Sequence, residues 1–150
     1  MKLTVPPAIQ GPIILGLSWL AAKRFPNLVI SIPSERIVAI VLSVAGLLII
    51  AVSIVGFSRR KTTVNPLTPN ATKTLVTSGV YKVSRNPMYV GVLLILIAWP
   101  INLENIAAFV PVPLYIVFMT IFQIMPEERA LEEKFGESYV EYKNRVRRWV

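Results

Sequence analysis

Two polar stretches interrupt an otherwise apolar chain, and their residue types could do chemistry. The first is Ser84-Arg85-Asn86-Pro87-Met88-Tyr89-Val90-Gly91, and the second is Pro126-Glu127-Glu128-Arg129. Pro87 suits the first turn of a helix, where its missing N–H costs nothing. The free N–H groups of a helix start bind anions, so a carboxylate or phosphate can dock after Pro87, assisted by Arg85 and Asn86. A carboxylate at Glu127 or Glu128 could accept two hydrogen bonds from a ribose diol or sit near a cationic cofactor. Arg145, Arg147 and Arg148 could bind a substrate carboxylate bidentately. Each stretch also has a plainer role. Arg85 suits a topological anchor and Tyr89 an interfacial aromatic. Pro followed by acids is an ordinary helix start, and the terminal arginines can anchor a tail to anionic lipid.

Composition narrows the chemistry. The chain has 150 residues, of which 54% are hydrophobic, too apolar for a soluble domain of this size and expected of a single-domain integral membrane protein. There is no Cys and no His, and all eight acidic residues are Glu. Thiolate nucleophiles, His-based nucleophile activation and the usual zinc sites are therefore excluded, and no metal is expected. The chemistry must use Glu, Arg, Lys, Tyr, Asn, Ser, Thr, backbone, or a cofactor that brings its own reactivity. The net charge of +8 lies in loops between apolar runs. It reads as topology and anionic-lipid contact rather than nucleic-acid binding.

The elements that must position these motifs are helical. The expected fold is all-α: about four transmembrane helices and a C-terminal amphipathic cytosolic tail. Residues 1–57 hold two N-terminal spans, 58–86 a cytosolic connector, 87–125 a transmembrane hairpin and 126–150 an interfacial tail. The first span is expected from about Pro7 to Phe25, with Lys23 and Arg24 snorkelling; it is preferred over a signal peptide because Leu20-Ala21-Ala22 is a poor cleavage site. Ser34 reads as the N-cap of the clearest span, Ile37 to Phe57, in which Ser43, Gly46, Ser53 and Gly56 could mark a packing face. Ser58-Arg59-Arg60-Lys61 stops that helix, and a Thr-rich connector runs from Thr62 to Ser84.

The helix from Pro87 to Ile101 is roughly 22 Å long, short of the roughly 30 Å hydrocarbon core. It should therefore start in a recess below the interface. Asn102-Leu103-Glu104-Asn105 is the hairpin turn, and Ile106 to Met125 the last span, kinked or unwound by Pro111 and Pro113. In the tail, Leu131, Phe135, Tyr139, Tyr142, Val146 and Trp149 recur at helical spacing. Gly136 is expected to break the tail into two helices, and Glu141–Arg145 to form a favourable pair one turn apart. Thirteen Lys and Arg fall on the side of the termini and residues 58–86, and three on the other. That asymmetry puts both termini and both polar motifs in the cytoplasm.

The run LVTSGVYKVSRNPMYVG, an apolar hairpin, and PEERALEEKFGESYVEYKNRVRRW together resemble the isoprenylcysteine carboxyl methyltransferase family. Phospholipid N-methyltransferases share part of the pattern. The resemblance covers residues 60–149 and implies an S-adenosylmethionine-dependent methyltransferase whose lipophilic substrate enters from the bilayer. It implies a cofactor pocket of Arg85, Asn86, Pro87, Tyr89 and Gly91. Glu127, Glu128 and Leu131 form the other wall, with Tyr139 and Tyr142 as cover. Asn86 departs from the His that many members carry, so no titratable base is available there. A methyl sulfonium is already activated, and a carboxylate acceptor needs alignment rather than a base. The expectation is therefore a prenylcysteine-like carboxylate acceptor, with Arg145 or Arg147 orienting it and Glu128 as a third catalytic candidate. Three alternatives stand beside it: an amine N-methyltransferase acting on phospholipid, an NADPH-dependent sterol-reductase-like enzyme, and a non-enzymatic lipid- or partner-binding membrane protein.

Overall fold

The computed structural model describes residues 7–59 and 74–150. Arg60, Lys61 and most of the Thr-rich connector lie outside the described residues. Among the described residues the fold is all-helical; the nearest approach to a strand is an isolated bridge between Val29 and Asn105.

Four apolar segments alternate in direction. Helix α1 (Pro7–Arg24) is followed by α2 (Glu35–Arg59). Helix α3 (Pro87–Asn102) leads through a tight turn into a 3-10 turn (Ile106–Phe109) and α4 (Pro111–Met119). At one end of the bundle, the Asn105 side chain donates to the Phe25 carbonyl at 2.9 Å. There too, Ile106 N–H donates to Leu28 O at 2.9 Å, tying the loop after α1 to the hairpin turn. At mid-height, Trp99 Nε1 donates to the Leu15 carbonyl at 3.2 Å.

Among the described residues, two segments are long and apolar enough to cross a membrane: Glu35–Gly56 and Ile106–Phe135. Only 17% of the most apolar stretch of the first is buried within the protein. A core helix of a soluble protein would be largely covered, so this apolar surface suits lipid. Of the four expected spans, α1 and α3 are the shorter ones, at 18 and 16 residues.

Two of the four small residues singled out on α2 turn inward. Gly46 and Ser53 are buried, and the Ser53 hydroxyl donates to its own helix at Ile49 O, 2.6 Å away. A Cβ built on Gly46 would stand 2.5 Å from the Gly91 carbonyl, and one on Gly91 would stand 2.6 Å from the Gly46 carbonyl. The two backbones touch because neither residue carries a side chain. The α2–α3 contact fixes where Pro87, and hence the first polar motif, begins.

Three local expectations are corrected. Pro111 and Pro113 do not disturb the middle of a helix; Pro111 opens α4, where its ring is tolerated, and the preceding residues form the 3-10 turn. The disturbance lies further on, in a π-helical turn at Thr120–Ile124. Pro126 does not start a separate helix either. It sits inside a continuous path from α4 through the π turn into α5 (Met125–Phe135). Pro126 has no N–H to give to the preceding turn, and a turn widened by one residue accommodates that loss. The third concerns Arg145, whose Nε donates to the Glu141 carbonyl at 3.4 Å rather than pairing with the Glu141 carboxylate.

Gly136 ends α5 with φ +52° and ψ −129°, a conformation suited to glycine, and α6 (Glu137–Arg145) follows as the second tail helix. The expected break is present.

Gly46→Leu should lower the unfolding midpoint in detergent markedly, because its Cβ meets backbone that cannot yield; overpacking of this kind costs about 1–3 kcal/mol or more. Gly16→Ala, whose Cβ meets nothing within 4 Å among the described residues, should leave the midpoint unchanged or slightly raised. Equal effects at the two positions would contradict the packing described.

Candidate functional site

The two polar motifs meet. The last turns of the Ile106–Phe135 path bring Gln123, Glu127 and Glu128 against the start of α3, and the chain after α6 closes over both. Glu127 and Glu128 are adjacent on one helix and point about 100° apart, so they face different neighbours.

Glu128 is buried, with 8% of its side chain exposed, and is held by two guanidinium groups. Arg85 Nη2 donates to Glu128 Oε1 at 2.7 Å. Arg148 donates to both oxygens, from Nε to Oε1 at 3.1 Å and from Nη2 to Oε2 at 2.7 Å. Arg85 is equally buried and also donates from Nη1 to the Lys143 carbonyl at 2.8 Å, while its Nε is buried with no partner among the described residues. A buried carboxylate needs such compensation, and planar, bidentate guanidinium supplies it.

Glu127 is held differently. The Tyr89 hydroxyl donates to Glu127 Oε1 at 2.9 Å, and Gln123 Nε2 donates to the same oxygen. Both donors are neutral. The Gln123 side chain is fully buried, and its Oε1 has no partner among the described residues. The atom facing a carboxylate must be the amide nitrogen, so the carbonyl is left as a spare acceptor.

Tyr139 and Tyr142 are buried beneath α6, edge to face with ring centroids 6.2 Å apart. Tyr142 donates to the Tyr81 carbonyl at 2.7 Å, which pins the 3-10 turn Gly79–Lys82 under the tail. Burial pushes the Tyr142 phenol up to about 12, opposed by the positive charge of Arg85. Burial raises the Tyr139 phenol as well, with the neighbouring Glu128 charge acting the same way. Both remain neutral hydrogen-bonding groups at physiological pH.

Of the residues expected in a cofactor pocket, Arg85, Asn86, Tyr89, Glu127, Glu128, Tyr139 and Tyr142 gather at this end of the bundle. Asn86 precedes α3, and its Nδ2 donates to the Arg148 carbonyl at 2.9 Å. Pro87 is buried in the first turn, and Leu131 is half-buried one turn beyond Glu127. Gly91 lies at the α2–α3 crossing, where its bare Cα serves packing. Arg145 and Arg147 are exposed, and the arginine of that cluster that reaches a buried carboxylate is Arg148.

Sequence reasoning did not single out Gln123, and it named Arg148 only as one of a basic group. A lone amide in the apolar run before Pro126 was the available signal for Gln123, since a polar residue at membrane depth is costly unless used. No such signal separates Arg148 from Arg145 or Arg147; only the fold does.

A family model for phospholipid methyltransferases matches residues 34–138, spanning α2, the hairpin and α5. The chain belongs to the phospholipid methyltransferase family. It is thus a membrane methyltransferase acting on lipid, and the resemblance to isoprenylcysteine enzymes holds at the level of this broader family. An uncharacterized protein of Haemophilus influenzae is 48% identical over 63 residues, which is 42% of this chain and 100% of that relative. No solved structure matches the chain. Among the described residues no cluster of potential metal ligands exists.

Arg85→Ala should destabilise the protein by about 3 kcal/mol, because it leaves a buried carboxylate with one cation. Arg85→Lys should recover only part of this, since an ammonium cannot serve both Glu128 and the Lys143 carbonyl with fixed geometry. Thermal unfolding in detergent reads both; wild-type stability in Arg85→Ala would contradict the clamp.

Proposed function

We propose that the protein transfers the methyl group of S-adenosylmethionine to a lipophilic acceptor that reaches the site from the bilayer. The observation that carries this reading is the pair of adjacent carboxylates in unlike surroundings, buried Glu128 neutralised by guanidinium and half-buried Glu127 held by neutral donors. A site for a cofactor that is at once cation, anion and polyol needs both kinds of group.

The residues fit that cofactor. Glu127 and the spare Gln123 carbonyl are acceptors suited to ribose hydroxyls or an ammonium group. The start of α3, with Arg85 Nε beside it unpartnered among the described residues, is suited to a carboxylate. When bound, S-adenosylmethionine supplies a methyl group already activated as a sulfonium. The chain's own contribution is then to bind, orient and exclude water.

The sequence favours a prenylcysteine-like carboxylate as acceptor, oriented by Arg145 or Arg147. A second reading, an amine on a phospholipid headgroup, is supported by the placement of those two arginines at the surface. It is supported too by Glu127, a carboxylate without a guanidinium clamp that could draw in an ammonium and accept its proton. Family membership favours methyl transfer over a nicotinamide-dependent reductase and over a purely lipid-binding role.

The topology completes the reading. The charge asymmetry supports four spans with both termini and the site in the cytoplasm. From Ile106 to Phe135 the helical path covers 30 residues, or about 45 Å, longer than the hydrocarbon core. Its end carries Glu127 and Glu128 to the interface, where a water-borne cofactor and a membrane-borne acceptor can meet.

Calorimetric titration of the purified protein in detergent with S-adenosylhomocysteine should show binding, weakened about tenfold or more by Glu127→Ala and by Asn86→Ala. Absence of binding at high micromolar ligand would overturn the cofactor assignment.

A further inference from the structure

The chain leaves α6 in extended form, with Val146 at φ −123° and ψ 132°, and then crosses the start of α3. Arg85 N–H donates to the Arg147 carbonyl at 3.0 Å. Ser84 Oγ and Asn86 Nδ2 donate to the Arg148 carbonyl at 3.4 and 2.9 Å. The Arg148 guanidinium spans both oxygens of Glu128, and among the described residues the Oε2 contact is its alone. These hydrogen bonds hold the Arg148 guanidinium above its ordinary value. Trp149 Nε1 donates to Thr120 Oγ1 at 3.1 Å, and its ring meets Tyr115 edge-on at 6.5 Å.

Two consecutive residues thus reach the two carboxylates by different routes, while the Arg147 carbonyl ties the strap to Arg85. Arg148 touches Glu128 directly. Trp149 holds Thr120, the first residue of the π turn that carries Gln123, and Gln123 holds Glu127. An arginine that merely anchored a tail to anionic lipid would not place its head on a buried carboxylate; this one does so bidentately.

We propose that residues 147–149 form a strap that sets the two carboxylates of the site, with Arg148 as the positioning residue of Glu128. The proposal rests on the cofactor reading above, and it adds that the pocket is incomplete without the strap. Arg148 acts through Glu128, so its loss should behave as a loss of Glu128 alignment. Lysine should restore charge without the two-point grip.

The test uses the full chain in a Trp19→Phe/Trp99→Phe background, where Trp149 is the remaining indole. Arg148→Ala should red-shift Trp149 emission, raise its accessibility to acrylamide, and weaken S-adenosylhomocysteine binding about tenfold. Glu128→Gln should unseat Trp149 in the same way. Adding it to Arg148→Ala should produce little further change in either reading, as expected for one coupled unit. Arg148→Lys should reseat Trp149 but regain only part of the affinity. Arg129→Ala, an exposed charge on α5, should change nothing.

Wild-type emission and wild-type affinity in Arg148→Ala, or fully additive effects with Glu128→Gln, would overturn the strap. If the parent protein binds no S-adenosylhomocysteine, the cofactor reading falls. The fluorescence comparison then decides the strap alone, an unshifted Trp149 in Glu128→Gln rejecting it. Should Arg148→Ala not fold, judged by helical circular dichroism and gel filtration, Arg148→Gln and Arg148→Lys are read against the same criteria.

Discussion

Everything at the functional end of this bundle follows from taking the Glu128 carboxylate out of water and half-burying its neighbour Glu127. A buried carboxylate costs several kcal/mol unless partners replace its hydration. Glu128 meets that cost with Arg85 and Arg148, and each guanidinium commits a further segment: Arg85 the start of α3, Arg148 the strap. Glu127 meets it with the Tyr89 hydroxyl and the Gln123 amide. The side chains of the first motif, the π turn and the tail are thereby locked to one another. Removing any one leaves a charge or a dipole stranded rather than merely losing a contact.

That arrangement requires helix geometry that is locally irregular. Pro126 cannot supply the backbone donor a regular helix needs, and the extra residue in the Thr120–Ile124 turn absorbs the defect. The same turn rotates Gln123 to full burial beside Glu127. On the opposite wall, Gly46 and Gly91 let α2 and α3 touch backbone to backbone and fix the height at which Pro87 begins. Backbone defects and bare glycines, rather than side-chain bulk, set the position of the site.

How much of this was legible follows from the range over which each signal acts. The helical segments, the hairpin turn at residues 102–105, the Gly136 break and the meeting of the two polar motifs all follow from local composition and hydropathy. The small-residue stripe on α2 announced Gly46 correctly, but its partner was read as a pocket residue; a glycine in a motif does not say whether it admits a ligand or a helix. The tail arginines show the same limit. Arg145, Arg147 and Arg148 are alike in type and nearly adjacent, and what separates them is the extended backbone after Val146, which sends one inward and leaves the others exposed. The π turn was not legible, because Pro126 reads equally well as a helix start and as a defect inside a helix. Spacing along a chain fixes faces of regular elements, and these features lie where regularity ends.

The central claim is that the paired carboxylates serve methyl transfer to a membrane-borne acceptor. Its most direct test is to supply membranes containing the protein with S-adenosylmethionine labelled in the methyl group, and then to follow the label into the lipid extract. The account predicts lipid-soluble label with the wild-type protein and its loss with Glu127→Ala, at equal protein levels in the membrane. Label that stays entirely in the aqueous phase, or a lipid signal equal in both, would contradict it.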